Sequence, residues 1–249
     1  MKKYITIISV FAFLGIAALF FRVASRGLTP VSITEQYDAQ ETASVLLTNP
    51  GNMIKLPDVV TDGKMSLEKA ISNRRSIRSY ADKPLTLFEL SQLLWSAQGI
   101  TNERGFRTAP SAGATFPLDM FVVVNNVETL NRGIYHYDPH SHRLEFIRAD
   151  DVAEDLFRAC LSQSMILEGG AVLVFAAVFE RTTSRYGNRG ERYVYNEIGH
   201  ASQNVHLQAA ALNLGTVVIG AYHDDQVEGI LDLGDQFRVL YLMPAGKLP

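Results

Sequence analysis

Along this chain, stretches whose apolar residues recur every three or four positions alternate with stretches that are apolar without a break, and the two patterns predict different elements. Ser66 reads as the N-cap of a helix carrying Leu67, Ala70 and Ile71 on one face, and a second helix is expected over about 86–98. A long helix is expected over about 191–214, with Val194, Ile198, Ala201, Val205 and Leu212 on its apolar stripe and Gly215 placed to end it. Unbroken runs rich in Val, Phe and Ile at 120–124, 171–179, 216–219 and 237–243 predict strands buried on both faces. Between the first two of these, the segments 133–137 and 144–147 flank a turn with Asp138-Pro139, a hairpin signal. Strands and helices in this order predict an α+β fold with a mixed, largely antiparallel sheet flanked by helices.

The N-terminus follows neither pattern. Lys2 and Lys3 precede an apolar run over 4–21, which is 18 residues and at the lower limit for crossing a bilayer as a helix. The run has no polar face, so a helix half-buried in a soluble domain fits it poorly. Residues 1–26 therefore read as a signal anchor or a signal peptide, with Val23-Ala24-Ser25 a passable cleavage site. That implies a membrane-anchored or exported protein, its large C-terminal domain on the extracytoplasmic side of a bacterial inner membrane. Residues 27–64 collect Thr29-Pro30, Asn49-Pro50-Gly51, Leu56-Pro57-Asp58 and Asp62-Gly63 and read as a linker, leaving 65–249 as one domain.

Composition narrows the function. With 47% apolar residues in 249 there is ample material for a core. A formal net charge of -3 provides no global field to attract nucleic acid, so basic clusters matter only locally. The lone Cys160 cannot form an internal disulfide, and no Cys/His set has zinc-site spacing. His200 and His206 differ by about 240° around a helix, and His136, His140 and His142 fall on the hairpin, where they read as surface. Walker loop, dinucleotide fingerprint, zincin motif and nucleophile elbow are all missing.

What remains is a set of short segments. Arg74, Arg75, Ser76 and Arg78 place three guanidinium groups and a hydroxyl within five residues, suited to a phosphate monoester but equally to the C-terminus of a helix. Pro110, Ser111, Ala112 and Gly113 begin a small-residue loop that a flat ligand or a tight chain connection could use. Val218, Ile219 and Gly220 end a strand with a glycine, where a ring can approach the backbone and a chain can also turn. Asn196, Glu197, His200, Ser202, Gln203 and Asn204 put polar groups on an otherwise apolar helix, where burial obliges each to find a partner.

Taken in order, the segment from Arg74 to Tyr80, the Pro110-Ser111-Ala112-Gly113 loop, Gln203-Asn204, Leu214-Gly215 through Gly220, and Pro244-Ala245-Gly246-Lys247 resemble the nitroreductase superfamily. The loop and the hairpin are similar to the branch of thiazole- and oxazole-forming peptide dehydrogenases. The resemblance implies an FMN cofactor, a homodimer with flavin at the interface, and two-electron ping-pong chemistry on a small-molecule or peptide substrate. It places Arg74, Arg75, Ser76, Arg78 and Lys247 on the flavin phosphate and ribityl chain, and Pro110, Ser111, Ala112 and Gly113 as the loop from the partner subunit. Val218, Ile219 and Gly220 would face the flavin ring. Tyr186 and Arg185 stand where the azoline oxidases carry a tyrosine and a lysine, making Tyr186 the expected proton donor and Arg185 an orienting group. Arginine stays protonated, so it cannot replace lysine as a general base. The alternatives are an NAD(P)H-dependent nitro or quinone reductase, and a non-catalytic flavin-binding redox partner or sensor.

Overall fold

The computed structural model describes residues 52–249. The expected membrane segment and most of the expected linker lie outside the described residues. Within them, strands β1 (Met53–Lys55), β2 (Leu118–Val124), β3 (Gly133–Asp138), β4 (Arg143–Arg148), β5 (Ala171–Ala177), β6 (Leu214–Thr216) and β7 (Arg238–Lys247) form one sheet in the order β1-β4-β3-β2-β5-β7-β6. The helices are α1 (Leu67–Asn73), α2 (Leu87–Gln98), α3 (Ala153–Ala159), α4 (Met165–Glu168), α5 (Glu180–Tyr186), α6 (Arg189–Ala211) and α7 (Asp224–Leu231).

Every strand ladder in this sheet is antiparallel, which corrects the expectation of a mixed one. The strands are nonetheless apolar throughout because both faces are covered. Along β5, Ala171, Leu173, Phe175 and Ala177 face a core shared with α2 and α6, whereas Val172, Val174 and Ala176 face one shared with α3, α4 and α7. Each fully buried aliphatic or aromatic side chain contributes roughly 1.5–3 kcal/mol, so the two-sided central strands anchor the fold.

Local signals explain the element ends. Thr86 and Glu89 form a reciprocal capping box at the start of α2. Ser66 accepts from the Lys69 N–H at the start of α1, although only Ala70 of its apolar face is buried; Leu67 and Ile71 are 61% and 54% exposed. The long helix ends earlier than expected, at Ala211, and Asn213 takes the left-handed conformation after it with φ 55°. Gly215 instead lies in β6, where a Cβ would fall 2.8 Å from the Ile77 side chain. The strand expected over 216–219 is this shorter β6 followed by an isolated bridge between Ile219 and Leu242, and the run expected to reach 179 ends at Ala177 before α5 begins. Within the segment expected to be a linker, Met53–Lys55 pairs with β4.

His142 is tied in rather than free on the hairpin surface. Its Nε2 lies 2.8 Å from the Ser91 hydroxyl and its Nδ1 2.9 Å from the Tyr137 hydroxyl. Among the described residues no helix is long and apolar enough to cross a membrane.

Candidate functional site

The arginine cluster begins where α1 stops. Arg74 leaves helical geometry, and the chain then runs along the end of the sheet: Ile77 N–H donates to Thr216 O at 3.0 Å and Ala81 N–H to Lys247 O at 3.0 Å. Tyr80 is the anchor. Its buried ring fills the space against Gly215 and Gly246, and its hydroxyl reaches Ile77 O and Pro244 O at 3.0 and 3.1 Å. Burial, reinforced by Glu168, pushes the Tyr80 phenol well above its usual range, so it stays neutral.

With Ile77 and Tyr80 fixed inward, Arg75, Ser76 and Arg78 are left exposed and Arg74 half-buried. Arg75 also serves the helix it follows, donating to Ser72 O at 3.0 Å and Arg74 O at 2.7 Å. Among the described residues none of Arg74, Arg75 and Arg78 is in an ion pair. The segment thus concentrates uncompensated positive charge on a rigid backbone.

Arg74 acts on His206 of α6, which lies about 240° around the helix from His200 and so shares no metal site with it. His206 is 7% exposed, its Nδ1 has no partner among the described residues, and burial, with Arg74 adding to it, holds the ring down to about 4. Lys247 reaches the same segment through its backbone carbonyl, but its side chain is engaged with α2. Its Nζ is 2.6 Å from Glu89 Oε1, so in this chain the ammonium is already held by the α2 capping box.

The second group gathers where the chain between α2 and β2 crosses α6. Ala112–Ala114 make one 3₁₀ turn, and Gly113, Ala114 and Phe116 all have positive φ, at 61°, 53° and 45°. Left-handed backbone costs about 1–2 kcal/mol at each of Ala114 and Phe116, which flank a right-handed Thr115, and needs fixing from outside. Phe116 N–H donates to Ser111 Oγ at 2.9 Å, and Arg181 donates to Phe116 O at 3.1 Å while pairing with Asp119 at 2.5 Å. The Arg107 guanidinium lies 4.5 Å above the Phe116 ring and donates to Gln98 Oε1 at 2.7 Å.

Arg185 and Tyr186, at the end of α5, close on this turn. Arg185 donates to Gly113 O at 3.0 Å and sits 5.5 Å from the Tyr186 ring. The Tyr186 hydroxyl occupies the place of a Gly113 side chain, 2.4 Å from where a Cβ would stand. The expected catalytic pair and the expected cofactor loop are therefore brought together, with Ser111 and Ala112 half-buried and Pro110 and Gly113 exposed.

Behind the turn lies Glu197, on the buried face of α6 and 2% exposed. Burial raises its carboxyl to about 7, a shift that a Ser111 hydrogen bond and the Arg107 charge only partly offset. Glu197 and His206 were visible in the sequence as charged or titratable residues at positions the apolar stripe should occupy: Glu197 is three beyond Val194 and four before Ala201, and His206 three before Ala209.

The strand-end residues form a third group. Ile219 exchanges hydrogen bonds with Leu242 at 2.8 and 3.0 Å, Val218 is half-buried, and exposed Gly220 lies against the Tyr241 ring, which an added Cβ would meet at 3.2 Å. The turn and the arginine cluster do not share one spot on α6: Ser111 faces Glu197 and Arg74 faces His206, nine residues or about 13 Å apart along the helix. A separate groove of about 430 Å³ between α7 and β7 carries Asp225, Glu228, Asp232 and Asp235, a lining that repels a phosphate.

The model of the nitroreductase family matches residues 71–247. A protein of Methanocaldococcus jannaschii assigned as a nitroreductase is 45% identical over 194 residues, which cover 78% of this chain and 96% of that one. The microcin B17-processing protein McbC of Escherichia coli is 31% identical over 143 residues, covering 55% of this chain and 52% of McbC. Among solved structures, a protein of Ralstonia eutropha assigned as a nitroreductase superposes with a TM-score of 0.68 at 29% identity, over 82% of this chain and 95% of that one.

Proposed function

The chain belongs to the nitroreductase family of oxidoreductases, and from that membership we propose that it is an FMN-dependent enzyme performing two-electron ping-pong chemistry on a small organic or peptide-derived substrate. The observation that carries the proposal is the segment from Arg74 to Arg78, whose guanidinium groups make no ion pair among the described residues while Ile77 and Tyr80 fix its backbone. Uncompensated cations on a rigid support favour a dianionic ligand. The donor set fits a phosphate monoester, with Arg74, Ser76 and Arg78 as its holders and Arg75 divided between the ligand and its own helix.

Bound there, FMN would supply the two-electron acceptor and donor that no side chain of this protein can provide. The chain's own residues would orient and protonate. Arg185, a permanent cation fixed on Gly113 O, suits an anionic or carbonyl group of the substrate, and Tyr186 beside it can donate a proton from its hydroxyl. Because Arg185 cannot accept a proton, a route that draws a base from that position is disfavoured. The peptide-processing name of the McbC relative supports a peptide-derived ring among the candidate substrates.

The exposed Leu67 and Ile71 on α1 support a homodimer, as does the turn at Ser111–Gly113 lying about 13 Å of helix from the arginine cluster of its own chain. Anchoring or export through residues 4–21 belongs to the same proposal, and recovery of the full chain in the membrane fraction tests it. The function itself is tested by incubating purified, detergent-solubilised protein with FMN, separating free flavin, and adding candidate donors. Retained flavin absorbance that a donor bleaches and a substrate restores is the expected result. Protein that emerges colourless overturns the proposal.

A further inference from the structure

We propose that Asp119 is a positioning residue: through Arg181 it ties the turn that would receive the flavin to the helix that carries Arg185 and Tyr186. The functional meaning of this tie rests on the flavin reading above, whereas the tie itself is made of hydrogen bonds in the fold.

The turn and α5 leave the sheet side by side. β2 and β5 pair up to Leu118 opposite Ala177, and Val178 N–H donates to Pro117 O at 2.9 Å, which extends the ladder to the point where the turn runs in and α5 runs out. α5 has seven residues, too few to keep its shape without tertiary contacts. It lays Arg181, Thr182 and Arg185 against the turn. Arg181 donates to Phe116 O at 3.1 Å and Arg185 to Gly113 O at 3.0 Å, so two cations of one helix grip both ends of the stretch with positive φ. Between them the Thr115 and Thr182 hydroxyls lie 2.8 Å apart; Thr115 gives its proton to Ala112 O at 3.0 Å, which leaves Thr182 as the donor.

Arg181 is the contact that is tied back to the sheet. Its guanidinium pairs with Asp119 Oδ2, on β2, at 2.5 Å. The other oxygen, Oδ1, lies 3.2 Å from His136 Nε2 on β3, and the His136 ring stacks at 4.6 Å on Phe121, its partner across the ladder. Both oxygens are thereby engaged and the carboxylate is fixed in direction. Burial alone would raise the Asp119 carboxyl, but the His136 hydrogen bond and the Arg181 charge outweigh it and hold it below its usual range, so it stays ionised at neutral pH. The Arg181 side chain is 40% exposed, and an ion pair so open to water contributes little to the stability of the whole fold. Its effect falls instead on where Phe116 O, and with it the turn, sits relative to Arg185 and Tyr186.

Amide hydrogen exchange of the flavin-free full chain tests the inference in a double-mutant cycle of Asp119→Ala and Arg181→Met, with Asp119→Asn as the conservative variant. The amides of Ala114, Thr115 and Phe116 are hydrogen-bonded within the turn, so their exchange reports its opening. Each of the first two variants should raise exchange at these amides about fivefold, and by more than along β2 and β3. The double variant should stay within about twofold of either single one, because Asp119 acts through Arg181. An asparagine amide can still accept from Arg181 and turn its NH₂ to His136, so Asp119→Asn should return to within about twofold of wild type. The FMN dissociation constant, read by flavin fluorescence, should follow the same order. Single effects that multiply in the double variant, Asp119→Asn no better than Asp119→Ala, or exchange raised equally across the turn, β2 and β3 overturns the inference. Should Asp119→Ala not fold, unchanged exchange in Arg181→Met overturns it alone. If wild type binds no FMN, the proposed function falls while the exchange data still decide the role of Asp119.

Discussion

Two segments rest on the same long helix and handle charge in opposite ways. The arginine segment after α1 leaves Arg75 and Arg78 facing solvent and Arg74 half-buried, none with a carboxylate partner among the described residues, and holds itself in place through buried Tyr80 and half-buried Ile77. The turn before β2 has Arg107, Arg181 and Arg185 as well, but each is engaged: with Gln98 and the Phe116 ring, with Asp119, and with Gly113 O. The first arrangement leaves its interaction energy available for a ligand. The second uses it to keep a left-handed backbone in one shape, which is what a receiving surface needs. Beneath each segment α6 carries one buried titratable group, His206 under the arginines and Glu197 under the turn, displaced in opposite directions.

That opposition gives the largest expected effect. Glu197 is raised in the fold from 4.5 to about 7, so its stability contribution is complete below 4.5 and is lost as pH rises through 7. His206 is lowered from 6.5 to about 4, so its contribution is complete above 6.5 and is lost as pH falls through 4. Between about pH 4.5 and 6.5 the two slopes cancel, and each variant should expose the other. Denaturation across that window should show Glu197→Gln gaining roughly 2–3 kcal/mol in stability as pH rises, and His206→Leu losing a similar amount. Parallel curves for the two variants would break the contrast.

A smaller effect is expected at Gly113. Its φ of 61° and the Tyr186 hydroxyl at the site of a Cβ make Gly113→Ala destabilising by about 1–2 kcal/mol. Gly229, within α7 and facing open space, is the control, and Gly229→Ala should stabilise by about 0.5–1 kcal/mol. Thermal melts of the two variants should move in opposite directions.

The smallest concerns Lys247, whose ammonium is held by Glu89. Lys247→Ala should cost about 1 kcal/mol in urea denaturation. A tenfold drop in FMN affinity beside that loss would place the ammonium on the phosphate as well; an unchanged affinity leaves it as the partner of Glu89.

Much of this architecture was legible in the sequence because its signals are local. The Thr86–Glu89 capping box, the hairpin around Asp138-Pro139 and the apolar stripe of α6 each lie within a few turns of chain. The shortest strands were hidden for the opposite reason. Met53–Lys55 and Leu214–Thr216 are three residues each and are strands only because β4 and β7 offer them backbone partners. Continuous apolar strands do not distinguish parallel from antiparallel neighbours once helices cover both faces, which is why the sheet's uniform antiparallel pairing did not follow.

At the site, Arg185 and Tyr186 approach Gly113 although more than seventy residues separate them in sequence, a proximity that no local pattern announces. The pairing of Lys247 with Glu89 could not have been read from either residue alone. Glu197 is legible in the sequence as one of the polar groups on a largely apolar helix whose burial demands a partner.

The central claim is that the unpaired arginines after α1 hold the FMN phosphate, and a titration of FMN into the purified chain tests it most directly. Wild type should bind near one flavin per chain, and the paired substitution Arg74→Ala with Arg78→Ala should weaken binding by roughly a hundredfold or more while leaving the melting temperature nearly unchanged, since each charge-assisted hydrogen bond contributes about 1.5–3 kcal/mol. Equal affinity in the wild type and the paired variant would contradict the account.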